Sequence, residues 1–145
     1  MDNVEIQRVL KCLDCFDGVY SCDNLPENPH LLVSNTDPSD KPGRHWICIY
    51  RDPSTGIGEY FDSFGRRPNG DFKRYMNSKC CNWTFNNVQL QSVVSRFCGL
   101  YCIYFCLLRS RNVDMRKIVG SLTSDTAYND AIVHSLLCRH IKYNK

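Results

Sequence analysis

The sequence predicts an α+β fold, in which helices pack on a mixed sheet, and three observations lead there. Residues 99–108 are apolar on every side, as a helix in the middle of a domain must be. Residues 45–50 and 57–62 are β-rich runs separated by Arg51-Asp52-Pro53-Ser54-Thr55-Gly56, a strong turn composition. The chain has 145 residues, 43% of them hydrophobic and 23% charged, which suits one compact domain spanning 1–145 with a sizeable core.

The elements follow in order. Apolar residues at Val4, Ile6, Val9, Leu10 and Leu13 have nearly helical spacing and predict a short amphipathic helix. Residues 16–29, with Gly18, Pro26 and Pro29, read as mostly loop. A short strand is expected over 30–35, then an exposed loop over 36–43 that feeds His45. If Arg51 pairs with Gly56 across a four-residue loop, position 49 faces 58, 47 faces 60 and 45 faces 62. His45 and Asp62 are then cross-strand neighbours on one face, with Cβ atoms about 5 Å apart. A slip of one residue would send one of them to the other face. A short helix over 70–77 has Phe72, Tyr75 and Met76 on its apolar side, and 83–90 reads as a strand that ends just before Gln91. The apolar helix opened by Cys98 stops at Arg109-Ser110-Arg111. Two more helices are expected, over 113–122 and over 124–141, the second with Ser124 as N-cap.

No apolar stretch is long enough for a membrane span, and Met1 is followed by polar Asp2-Asn3 rather than a signal-peptide core. The expectation is a protein inside the cell, not secreted, with no membrane partner. Ten cysteines would suit a disulfide scaffold in a secreted chain. Here Cys48 lies in a strand-like run and Cys102 and Cys106 in the apolar helix, so mostly free thiols are expected. The net charge is +3, and its basic carriers cluster at Arg66-Arg67, Lys73-Arg74, Arg109 with Arg111, Arg116-Lys117 and 139–145. Such groups are solvated surface by default, and attract a polyanion only where several share one face.

A set of residues able to hydrolyse an amide is also present. A thiol at the start of a helix is biased toward thiolate by the unpaired N–H groups and the dipole, which marks Cys98 as a nucleophile. His45 would hold and return the proton, and Asp62 would orient and stabilise the ring. The Gln91 side chain and the Cys98 backbone N–H would face the oxyanion. Gly99 leaves room beside the thiol, and Trp46 is a cleft candidate whose predicted face, opposite His45, equally suits core packing. Taken one at a time, a cysteine opening an apolar helix is more often a packed side chain, and a strand His beside an Asp more often a surface pair.

The joint spacing carries more weight. His45-Trp46, then Tyr60-Phe61-Asp62-Ser63-Phe64-Gly65, then Gln91-Ser92 and Phe97-Cys98-Gly99-Leu100-Tyr101-Cys102 closely resembles the adenovirus-type (adenain-like) cysteine protease family. Proteases of Polinton or Maverick virus-like DNA transposons and the ubiquitin-like-protein proteases share this order. The resemblance covers about 35–109 and implies a papain-like architecture, with a central helix carrying the nucleophile on a mixed sheet. It matches His45, Asp62 and Cys98 to the family triad and Gln91 to its oxyanion-hole glutamine. The seven-residue step from Gln91 to Cys98 is similar to the adenovirus branch.

The resemblance further implies a monomeric endopeptidase that cuts structural precursor proteins at Gly or small-residue sites, in a host nucleus or a virion. The residues themselves require no cofactor. Family members use an activating peptide and DNA, so both enter as expectations, with Cys80 at a spacing similar to that of the family's peptide-coupling cysteine. Asp62 stands where adenovirus enzymes usually have Glu, and the chain is shorter than theirs.

Two other readings compete. One is a deconjugating protease acting on ubiquitin-like modifiers. The other is a zinc-stabilised binding module built on Cys12, Cys15 and Cys22 with Cys80-Cys81, although no second well-spaced Cys/His pair supports it and no metal site is expected.

Overall fold

A computed structural model describes residues 1–41 and 43–143. Pro42 of the 36–43 loop, and Asn144 and Lys145 of the C-terminal basic group, lie outside the described residues.

Five strands form one mixed sheet in the order β1-β2-β3-β4-β5: Phe16–Tyr20, Leu31–Asn35, Trp46–Arg51, Ile57–Phe61 and Asn82–Phe85. The outer pairs are parallel and the inner pairs antiparallel. Five helices surround it: α1 (Asn3–Leu10), α2 (Gly70–Lys79), α3 (Cys98–Arg109), α4 (Met115–Gly120) and α5 (Thr126–Tyr143). The expected α+β class and mixed sheet are what the chain adopts.

Alternation along the inner strands builds two cores. Leu31, Val33, Cys48, Tyr50 and Phe61 face α3, α1, α4 and α5, while Leu32, Ile47, Ile49 and Tyr60 face α2 through Phe72, Met76 and Cys80. Both faces of β2 and of the middle of β3 are therefore dry, which is why they read as largely apolar runs. Helix α3 lies within the larger core; Phe105 stacks on Phe61 of β4 with ring centroids 4.7 Å apart. Each fully buried aliphatic or aromatic side chain in these cores contributes about 1.5–3 kcal/mol. Among the described residues, no helix is long and apolar enough to cross a membrane.

Four expectations are corrected. The segment after α1 holds strand β1, which pairs parallel to β2 with a bulge between Phe16 and Gly18. A short, glycine-containing edge strand carries little periodic signal, and its partner is distant in sequence. The β3–β4 register is displaced by two residues, with Ile49 opposite Tyr60 and Arg51 opposite Gly58. Asp52 causes this: its carboxylate accepts from the Ser54 and Thr55 N–H groups, and its own N–H bonds the Ile57 carbonyl, so the loop closes one residue later. The strand before Gln91 ends at Phe85, because Asn86 turns its amide into the structure. Finally, Asp125 rather than Ser124 caps α5, accepting from the Tyr128 N–H at 3.1 Å.

Candidate active site

The site lies where β3 begins, β4 ends and α3 begins, so each reacting side chain hangs from the end of an ordered element. A shift of two residues preserves the face of every side chain, because strand periodicity is two. His45 therefore still shares a side with Asp62, now diagonally, and stacks on Phe64 at 4.9 Å. His45 Nε2 and Asp62 Oδ1 are 2.7 Å apart, and both side chains are largely buried.

The local sequence explains the placement of Asp62. Its Oδ1 also accepts the Phe64 N–H at 2.8 Å, and its carbonyl accepts the Gly65 N–H at 2.7 Å, closing a turn at the strand end. Gly65 has φ +71, and a Cβ there would come 2.6 Å from the Val88 backbone, so this turn demands glycine. The run Phe61-Asp62-Ser63-Phe64-Gly65 is thus a strand terminus whose carboxylate is fixed before it meets histidine.

Cys98 is the first residue of α3, and Phe97 before it offers no side-chain cap. The His45 ring and the Trp46 and Gly99 N–H groups are near enough to the thiol to offer it hydrogen bonds. Since Nε2 faces Asp62, Nδ1 is the ring nitrogen left for sulfur. Burial pushes the thiol up, but these hydrogen bonds and the His45 charge bring it below its ordinary 9.0. Burial pushes the ring down, but hydrogen bonds to Asp62 and Cys98 and their negative charges raise it to about 9. Both shifts run in the direction that favours a thiolate–imidazolium pair.

Gln91 lines the same cleft, of about 480 Å³, together with His45, Trp46, Cys98 and Gly99. Its Oε1 accepts from Ser63 Oγ at 2.6 Å, while its Nε2 donates to the Ser95 carbonyl and hydroxyl, each at 3.1 Å. The backbone is clamped on both sides: Ser63 O accepts the Leu90 and Gln91 N–H groups, Tyr101 and Asn129 donate to Leu90 O, and Asp130 accepts from Ser92 N–H. Trp46 packs on the larger core as well as lining the cleft. The space left by Gly99 is filled by Met1, whose side chain lies 3.2–3.4 Å from where a Cβ would stand.

Cys80 is buried beneath α2 and packs against Gly58, whereas neighbouring Cys81 is the exposed thiol of the pair. A disulfide to an incoming peptide at Cys80 would have to open that core. Cys12, Cys15, Cys22, Cys80 and Cys81 do not assemble into a ligand set; among the described residues, no group of three or more His, Cys, Asp or Glu is placed to hold a metal.

Sequence reasoning missed Asn86 and Ser63. Buried Asn86 accepts the Asp62 N–H at 2.8 Å and donates to the Asp62 carbonyl at 2.6 Å, replacing a strand partner. Its only signal was an amide inside a β-rich run. Asn86→Ala leaves the buried Asp62 N–H unpaired and removes one of the two donors to its carbonyl, so a denaturant melt should show a loss of roughly 1–3 kcal/mol. Loosening the Asp62 backbone, and with it the carboxylate's position, should also lower kcat on a cleaved peptide by roughly ten- to a hundredfold. Wild-type kinetics in this variant would show that Asp62 is held by other means.

No family model matches the sequence. It is similar to the protease of bovine adenovirus 7, 25% identical over 151 residues that cover 86% of this chain and 74% of that protein. It is also similar to a cysteine protease of African swine fever virus, 28% identical over 112 residues covering 69% of this chain and 41% of that one. The chain thus spans about three quarters of the first relative and well under half of the second. A crystal structure of the African swine fever virus protease matches with TM-score 0.67 at 18% identity, covering 92% of this chain and 66% of that one. ChlaDub1 of Chlamydia trachomatis matches in fold with TM-score 0.60 at 13% identity, covering 97% of this chain and 77% of that one. The chain is thus similar in sequence to an adenovirus protease and to a cysteine protease of African swine fever virus.

Proposed function

We propose that this protein is a cysteine endopeptidase in which Cys98, His45 and Asp62 act as a triad and Gln91 as an oxyanion donor. One observation carries the reading: the His45 ring bonds Asp62 at 2.7 Å and shares a cleft with Cys98, with the thiol displaced down and the ring displaced up.

The chemistry follows from that arrangement. The Cys98 thiolate adds to the scissile carbonyl, and the resulting oxyanion is met by N–H donors. His45 gives its proton to the leaving amine, and the C–N bond breaks to leave a thioester. Neutral His45 then takes a proton from water, whose oxygen attacks the thioester, and the proton returns to sulfur as the acid leaves. Asp62 holds Nε2 throughout, so Nδ1 stays aimed at the sulfur.

Gln91 meets the oxyanion by turning one amide N–H from Ser95, while Ser63 keeps its carbonyl end pointed away. Gln91→Ala should lower kcat by about 10²–10³-fold, roughly 3 kcal/mol, with KM little changed. A loss confined to KM would remove Gln91 from the oxyanion role.

The substrates that best suit the resemblance are structural precursors of a virus or virus-like element, cut beside Gly or other small residues inside the host cell or particle. Incubation with precursor-like peptides and with a ubiquitin-like modifier carrying a C-terminal reporter tests this. Turnover of the modifier alone would replace the endopeptidase reading with deconjugation. Activity measured with and without DNA or an activating peptide tests the family's cofactors here, and equal rates would count against them.

A further inference from the structure

Three arginines from three separate segments meet at the cleft that holds Cys98. Arg44 precedes His45, Arg66 follows the turn after Asp62, and Arg96 stands two residues before Cys98. The topology that gathers the reacting side chains therefore gathers these cations too. All three are exposed, and no carboxylate is among the residues lining this cleft. Arg44 has a partner, Asp37, at 3.8 Å, whereas among the described residues no carboxylate pairs with Arg66 or Arg96. The hollow on the other side of His45 is lined by Asp62 and Asp71 together with Arg66 and Arg67, so Arg66 borders both hollows and positive charge without a facing carboxylate is found on the Cys98 side.

Arg66 is also held in a defined pose. Its guanidinium lies over the Phe64 ring at 4.9 Å, and that ring stacks on His45. Stacking uses the face of a guanidinium and leaves its in-plane N–H fork free, the geometry that receives a carboxylate.

We propose that the cleft selects polypeptides bearing Asp or Glu within a few residues of the bond to be cut, with Arg66 and Arg96 receiving those carboxylates and Arg44 adding to the field. The proposal rests on the protease reading above and supplies its substrate class. Exposed ion pairs are individually weak, so the preference is modest for each residue, additive, and sensitive to salt. Focusing of the field into the cleft adds to the rate of encounter.

The test is a protein digest incubated with the wild-type protein, with cut sites sequenced by mass spectrometry. Matched peptides carrying Glu or Gln at the flanking positions are then compared. The expected result is enrichment of acidic residues around cuts and a kcat/KM advantage of about two- to fivefold for each engaged carboxylate, shrinking at high ionic strength. The double variant Arg66→Glu with Arg96→Glu should turn the preference toward Lys, while Arg116→Glu on α4 should leave it unchanged.

Cuts without acidic enrichment, or a preference that survives the double variant, would overturn the proposal. So would competition by duplex DNA in the absence of any acidic preference, which would assign the arginines to nucleic acid. Binding of labelled Glu and Gln peptides to Cys98→Ala, measured in parallel, separates the two levels of inference. Acid-dependent binding without cleavage by wild type refutes the protease reading and keeps the selectivity. Equal binding of both peptides refutes the selectivity.

Discussion

Cys98→Ala should abolish peptide cleavage while leaving the protein folded. The first half rests on how differently the thiols are held. Cys48 and Cys102 are fully buried, where burial pushes the first well up and the second to about 11, and Cys15, Cys22 and Cys80 are also pushed up. Cys98 alone among the displaced thiols moves down, because His45 and two backbone N–H groups favour its charge over the cost of burial. No displaced thiol can replace it, so the loss in kcat should be on the order of 10⁴-fold or more. The second half rests on position: Cys98 is only half-buried at the first turn of α3, where alanine is a good helix former and creates little cavity. The check is mass spectrometry of cut sites together with a melting curve. Residual cutting at the same bonds within tenfold of wild type would mean another nucleophile acts.

His45→Ala should cost nearly as much, and it should also change the pH dependence. In the proposed mechanism the productive state is thiolate with imidazolium. It forms as pH rises through the lowered Cys98 value and is lost as pH rises through about 9, where His45 gives up its proton. Activity and the alkylation of Cys98 by iodoacetamide should therefore follow a plateau with an alkaline limb in activity near pH 9. Without the ring, burial is opposed only by backbone N–H groups, so the thiol rises and alkylation at neutral pH slows sharply. The same shift is a statement about stability. A ring raised from 6.5 to about 9 on folding adds stability that is complete below about pH 6.5 and disappears as pH climbs through 9. In His45→Ala that contribution is gone, so the gap in melting temperature between wild type and variant should narrow in alkali. An alkylation profile identical to wild type would break the proposed link between His45 and Cys98.

Most of the helices were legible because each is encoded by its own neighbours. The apolar face of α1, the all-round apolar α3 and the turn composition before β4 each declare themselves within a dozen residues. The boundaries that moved did so for side-chain reasons: Asp52 shifts the hairpin loop, Asp125 takes the cap from Ser124, and Asn86 stops β5. Parallel β1 was invisible because its partner lies beyond a long connection.

The candidate site divides along the same line. Residue types and order alone made only a weak case for His45, Asp62, Gln91 and Cys98; their joint spacing, which resembles a known family, singled them out as candidates. Tertiary structure alone decided how they are held: Asn86 reaches Asp62 across 24 residues, and Ser63 reaches Gln91 across 28. It also decided that Arg44, Arg66 and Arg96 share one rim and that Cys80 is covered while Cys81 is not. The reason is physical. Periodicity, caps and turns are contests between adjacent groups, whereas a hydrogen bond or a shared cleft between distant segments exists only after the cores on both faces of the sheet have closed.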